Sequence, residues 1–193
     1  MGKVVGPVLK LFFVVLFMSS SVHSSSNIEE KRESDHRFQK LLCSKQKLTR
    51  LHFYFHDIVS GQAQTTVMVV SPAKTVKPSP TWFGQVNMFD NPLTKGPELT
   101  SKLLGHAQGL YGYASQVDIS LLVAMTFIIT NGRHDGSSFT VLGRNTVTDS
   151  TRELPIVGGT GKFRLARGFA TAKTYFFNDT VAIVEYNIVV IHY

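Results

Sequence analysis

From Leu48 to the last residue, apolar and polar side chains alternate in short runs cut by turn residues. A period of two places successive side chains on opposite faces of a strand and excludes a helical bundle, whose apolar residues recur at spacings of three and four. Leu51, Phe53 and Phe55 alternate with His52, Tyr54 and His56, and the run stops before Ser60-Gly61. Further segments of this kind are Thr66 to Val70, Trp82 to Phe89, Leu103 to Ala114, Ile119 to Thr130, Phe139 to Val147, Phe163 to Phe177 and Val181 to His192. Between them fall Pro78 to Pro80, Asn91-Pro92, Asn131-Gly132, Asp135-Gly136 and Asn178-Asp179, which supply bends and positive φ angles. Eight short-linked strands in one domain predict an all-β fold, an antiparallel barrel or sandwich. A closed barrel of that size has no exposed edge and can hold one ligand in its mouth.

The N-terminal residues follow a different logic. Lys3 precedes an apolar core from Leu11 to Met18 and a serine-rich tail, the order of a secretory signal peptide, and Val22 and Ser24 suit cleavage after Ser24. The apolar core is about half of the roughly 20 residues a membrane-spanning helix needs, so no membrane anchor is expected. Removing Lys3 and Lys10 lowers the net charge of +7 by two. Residues 25–47 interleave Lys31, Arg32, Arg37 and Lys40 with Glu29, Glu30, Glu33 and Asp35, a polar composition that predicts a flexible arm before a domain over residues 48–193. The basic excess is scattered and is not interleaved with aromatics on one strand face, so no nucleic-acid partner is expected. Cys43 is the only cysteine, which excludes an intramolecular disulfide framework and a cysteine-rich zinc site. Asn178-Asp179-Thr180 is a glycosylation sequon between two apolar runs, placing Asn178 on an exposed hairpin turn.

Polar residues on apolar strand faces are the informative exceptions. Asp57 continues the face of Leu51, Phe53 and Phe55. If that face lines a cavity, desolvation raises the proton affinity of Asp57 and suits it to acid–base work; the alternative is a strand-end aspartate capping the next turn. Asn145 shares the face of Phe139 and Val141 while Arg144 points away, and Thr174 follows the small residues Gly168, Ala170 and Ala172. Tyr111 and Tyr113 share a face with Ala107 and Gly109. Singly, each reads first as a satisfied core polar group; together they describe a pocket with convergent polar groups. Two apparent motifs fail on geometry. His52 and His56 on one strand stand about 13 Å apart and cannot share a metal. Gly158 to Lys162 lacks the spacing of a phosphate-binding loop and reads as a tight bend.

The segments Leu51 to Ile58, Phe89 to Leu93, Ala107 to Tyr111, Arg152 to Gly161, Ala166 to Ala170 and Val184 to Asn187, in that order, resemble the plant dirigent family across Leu48 to Tyr193. The resemblance implies an eight-stranded antiparallel β-barrel related to allene oxide cyclases, secretion to the apoplast, and a homo-oligomer, trimer or dimer. Members of that family hold phenoxy radicals made by a separate oxidase so that one coupling product dominates. Others bind quinone methides or their alcohol precursors. Neither chemistry implies a redox cofactor or metal. Carried onto this chain, the family's pocket residues are Asp57 and Arg152 as catalytic groups and Tyr111 and Thr174 as substrate-binding groups. Asn145 stands where lignan-forming members usually have a second acid, and Cys43 lacks the C-terminal partner of their disulfide. The resemblance is therefore to the broader branch that includes pterocarpan synthases. It implies a phenolic substrate and stereochemical control, with a dehydratase that cyclises an isoflavanol, or a phenolic carrier, as alternatives.

Overall fold

The computed structural model describes residues 28–72 and 80–193. The signal-peptide segment with its cleavage point, and Pro78, lie outside the described residues. Residues 28–42 are helical and exposed along nearly their whole length, where the composition predicts a flexible arm. Glu33 and Arg37 pair one turn apart on that helix, an arrangement that supports helix without a core to pack on. Cys43 follows it as an exposed free thiol.

The described residues beyond this helix form antiparallel sheet in nine strands: β1 (Lys47–Ile58), β2 (Thr66–Val70), β3 (Val86–Thr94), β4 (Leu103–Tyr113), β5 (Ser120–Ile129), β6 (Ser137–Thr146), β7 (Arg152–Thr160), β8 (Arg167–Phe177) and β9 (Val181–His192). Each strand from β3 to β9 pairs with the next, β9 pairs with β1, and β1 closes the ring on β3 at Tyr54 and Phe55. Eight strands thus form a closed barrel, and β2 pairs only with β3, outside the ring. The expected segments differ at three strands. Strand β3 starts at Val86 rather than Trp82 and runs through Asn91-Pro92, where a turn is expected, because both residues pair with β4. Thr66 to Val70 is the strand outside the ring, and the eighth ring strand is β7, which Pro155 and the paired Gly158 and Gly159 conceal in the sequence. Gly158 and Gly159 belong to β7, and the bend falls on the short 3-10 turn Gly161–Phe163.

Alternation puts one side of every strand inside. Phe53, Phe127, Phe139 and Phe163 are at most 1% exposed and plug one half of the lumen, in ring contacts of 5.0–5.5 Å. Two glycines let β4 approach β5 more closely than a side chain permits: a Cβ on Gly105 would lie 1.9 Å from the Ile128 carbonyl oxygen, and one on Gly109 2.2 Å from that of Ala124. Strands β6 and β7 pair only from Ser138 to Val141 against Thr160 to Ile156. Beyond that point the backbone ladder ends, leaving a seam without main-chain pairing at Pro155, which has no N–H to give, although Gly143 on β6 still lies against Pro155 on β7.

Candidate functional site

Register explains why the polar groups converge. Phe53 on β1 faces Tyr186 on β9, Tyr186 faces Ala172 on β8, and Ala172 faces Arg152 on β7. These four positions form one row across the inner wall. The small Ala172 at its centre leaves space, so Arg152 and Tyr186, two strands or about 10 Å apart at the backbone, share one volume. Arg152 is 6% exposed, and no carboxylate lies within ion-pair distance of it among the described residues. Its guanidinium donates to Asn145 Oδ1 at 3.1 Å, to the Asp149 carbonyl at 3.2 Å and to Thr174 Oγ1 at 2.9 Å. The bond to Asn145 bridges the seam between β6 and β7 where the backbone ladder has ended. Burial works against the charge on Arg152, offset in part by Tyr186 and Asp149, but the intrinsic basicity of guanidinium keeps it cationic.

The second cluster centres on Asp57. Its Oδ1 accepts from the Thr66 hydroxyl and from Asn91 Nδ2 at 3.1 Å, and its Oδ2 accepts from the Tyr111 hydroxyl at 3.2 Å. Asn87 Nδ2 donates to the Tyr111 oxygen at 2.8 Å, and Gln85 donates to Asn87 at 3.1 Å, so Tyr111 is held from behind. Asp57 is therefore no turn cap; its partners are side chains of β3, which pairs with β1, and of β2 and β4 on either side of β3. Burial raises the carboxyl above its ordinary range, and the hydrogen bonds from Thr66, Asn91 and Tyr111 oppose that shift without cancelling it. The same burial, together with the Asp57 charge, pushes the phenols of Tyr111 and Tyr113 upward.

Tyr186 joins the two clusters. It is 4% exposed, its ring packs on Phe53, Phe55 and Phe127, and its hydroxyl has no hydrogen-bond partner among the described residues. Burial raises its phenol far above the ordinary value, Arg152 opposes the rise and Asp57 adds to it. A wall with one carboxyl of raised proton affinity, one unpaired guanidinium and a free phenol between them can lend or take a proton at one end of a flat aromatic guest. It can hold a developing phenolate at the other.

Of the six residues singled out in the sequence for this pocket, Asp57, Tyr111, Asn145, Arg152 and Thr174 fall in these two clusters, and Tyr113 stacks edge-on against Tyr111 and Trp82 beside them. Asn145 and Thr174 touch Arg152, and Tyr111 commits its proton to Asp57. Tyr186, Asn87, Asn91 and Thr66 escape the sequence reading. Tyr186 is masked by the apolar alternation of Val184, Ile188 and Val190, and Asn91 by a following proline that reads as a turn. His52 binds Glu185 at 2.8 Å on the outside and His56 bonds Thr94 at 2.6 Å, so the two histidines serve separate partners. No cluster of histidine, cysteine and acidic residues suited to a metal occurs among the described residues. A groove of about 730 Å³ opens on the outer wall, lined by Ile58, Leu99, Tyr175, Phe176 and Val181; it contains none of the lumen groups.

A barrel closed by eight antiparallel strands, with this polar end, places the chain among dirigent proteins: the family model for dirigent-like proteins matches residues 48–191, and the chain belongs to that family. It is 42% identical to dirigent protein 21 of Arabidopsis thaliana over 182 residues, covering 93% of this chain and 94% of that one. It is 48% identical to pterocarpan synthase 1 of Glycyrrhiza echinata over 151 residues, covering 77% and 80%. The solved structure of the pterocarpan synthase dirigent protein GePTS1 superposes with a TM-score of 0.72 at 46% identity, covering 78% of this chain and 87% of that one.

Proposed function

We propose that the chain is a secreted dirigent protein that orients a phenolic intermediate, a phenoxy radical or a quinone methide, in the polar end of its barrel so that one stereoisomer forms. The observation that carries this reading is the row Phe53–Tyr186–Ala172–Arg152 with Asp57 further along the same face of β1: aromatic rings to stack a planar guest, and a guanidinium and a carboxyl that both act on Tyr186. Phenoxy radicals couple unaided, so orientation is all the protein must supply, and an external oxidase generates them. The signal-peptide layout supports secretion to the apoplast, with Asn178 as acceptor for N-linked sugar. Among the described residues no helix is long and apolar enough to cross a membrane. A homo-oligomer, trimer or dimer, is supported by the outer wall: Val67, Met88, Leu110, Ala124 and Leu142 stand in register across five strands, and Val67, Met88 and Leu142 are 50%, 43% and 46% exposed.

A second reading is favoured by the single acid. With Asn145 an amide, Asp57 is the one carboxyl of the two clusters, which suits a dehydration that needs one proton donor. Protonated Asp57 gives its proton to the leaving hydroxyl of an isoflavanol, the carbon–oxygen bond breaks, and water departs. The electron pair of the substrate's own phenol compensates the broken bond, that phenol releases its proton to solvent, and Arg152 holds the resulting quinone methide oxygen, which takes a proton back from solvent as the ring closes. A second phenol then adds to close the ring and returns its proton to Asp57, for a net loss of one water. Two incubations separate the readings: coniferyl alcohol with an oxidant, and racemic isoflavanol without one, each followed by chiral chromatography. An enantiomeric excess only in the first supports radical coupling, and pterocarpan in the second supports dehydration. Unchanged outcomes in both would refute stereochemical control and leave a carrier.

A further inference from the structure

The outer groove and the sequon meet at one place. Tyr175, Phe176 and Phe177 end β8 and are 57%, 47% and 72% exposed, three aromatic side chains in water immediately before Asn178. Phe176 and Thr180 line the groove, over a floor of Ile58, Val181 and Ile183. The hairpin that carries Asn178 is well fixed: the Asn178 N–H donates to the Val181 carbonyl at 3.0 Å, and the Val59 N–H donates to that of Thr180 at 2.9 Å. The Asn178 side-chain oxygen accepts from the N–H groups of Thr180 and Val181, both at 2.9 Å. That leaves Nδ2, the atom a sugar is attached to, exposed and without a hydrogen bond among the described residues.

We infer that an N-linked glycan on Asn178 occupies this groove, its first N-acetylglucosamine lying over Phe176. The inference rests on the reading that the chain is secreted. A lipid-diphosphate-linked oligosaccharide is the donor: the bond from Nδ2 to the sugar C1 forms, the C1–oxygen bond to diphosphate breaks, and the Nδ2 proton is lost to the transferase. Exposed aromatic surface of this extent asks for an occupant. A sugar tethered two residues from Phe176 is present at high effective concentration, and its apolar C–H face matches an aromatic ring. Ser60, Gln62 and Glu98 line the groove with polar side chains that can meet the sugar hydroxyls.

The test uses the full chain expressed in a eukaryotic secretory host, with intact mass and thermal melting recorded before and after peptide N-glycosidase. Wild type from the medium is expected to lose one glycan mass, and Asn178→Gln none. Deglycosylation is expected to lower Tm by about 3 °C in wild type and by less than about 1 °C in Phe176→Ala. Phe176 is half-exposed, so that variant should fold; Leu99→Ala provides a second alteration of the groove with the same expectation. Secreted wild type without sugar overturns the inference while leaving secretion intact. An equal Tm loss in all three backgrounds also overturns it and leaves the groove to another occupant, such as a second copy of the chain. If the native leader fails to direct secretion, the secretion reading fails, and the same full chain behind a heterologous leader still decides whether the sequon is used and where the sugar lies.

Discussion

Asp57→Asn should make the protein more stable and less active at once. In the folded chain Asp57 is held in a wall of Tyr111, Asn91 and Thr66, and burial raises its carboxyl above the ordinary 3.8. The folded chain therefore keeps a proton at pH values where the unfolded chain has released it. The group's stabilising contribution is full below the unfolded value and falls as pH rises through the folded one, so at neutral pH the charged form works against the fold. An amide relieves that conflict and fits the site. Its oxygen can accept from Thr66 and Asn91, as Oδ1 does now, and its NH2 can donate to a Tyr111 hydroxyl turned toward the lumen. The expected gain at pH 7 is on the order of 1 kcal/mol, or about 2–4 °C in Tm for a domain of this size, shrinking as the pH is lowered toward 4. Activity should fall about 10²- to 10⁴-fold for a reaction that needs the proton, and the limb of the wild-type pH–rate profile on which rate falls as rising pH deprotonates Asp57 should disappear. Melting curves from pH 4 to 8, run beside chiral product analysis, check both halves. A variant that melts below wild type at neutral pH, or that keeps wild-type rate and selectivity, would refute the reasoning about Asp57.

Two other positions give independent expectations. Gly109→Ala places a methyl 2.2 Å from the Ala124 carbonyl oxygen and 2.9 Å from the Met125 Cα, contacts only a backbone shift can relieve. Urea denaturation should show a loss of about 1–3 kcal/mol, with an unaltered midpoint contradicting the close approach of β4 to β5. Tyr186→Phe removes a hydroxyl that bonds nothing among the described residues, so stability should stay within about 0.5 kcal/mol of wild type while kcat/KM drops about tenfold. Unchanged kinetics would remove Tyr186 from the substrate's surroundings.

Much of the barrel is legible because period-two alternation survives in seven of its strands, and positive φ falls at Gly61, Gly132 and Gly136 beside the expected turns. Strand β7 is not, since Pro155 and two adjacent glycines carry breaker signals; Arg152 to Pro155 pair with β8 alone, so the local pattern lacks a second ladder to satisfy. The helix over residues 28–42 is missed because charge suggests solvation, whereas the Glu33–Arg37 ion pair one turn apart supports helix without a core. In the pocket, Asp57, Asn145 and Thr174 are legible as polar interruptions of apolar faces, and Arg152 only through the family resemblance. Tyr186 is not, because a tyrosine among Val184, Ile188 and Val190 reads as core. Only the pairing of four strands shows that it lies between Arg152 and Asp57. Sequence reveals faces within a strand, and register across strands decides which faces meet.

The central claim is that the buried, unpaired guanidinium of Arg152 holds the phenolic oxygen of the guest and thereby fixes its orientation. Arg152→Met keeps the length and apolar stem of the side chain and removes the charge. The enantiomeric excess of the product, measured for wild type and this variant with whichever substrate wild type converts selectively, is the direct test. Wild type should give a large excess and Arg152→Met one close to zero, while the variant remains folded by circular dichroism. An equal excess in both would contradict the account.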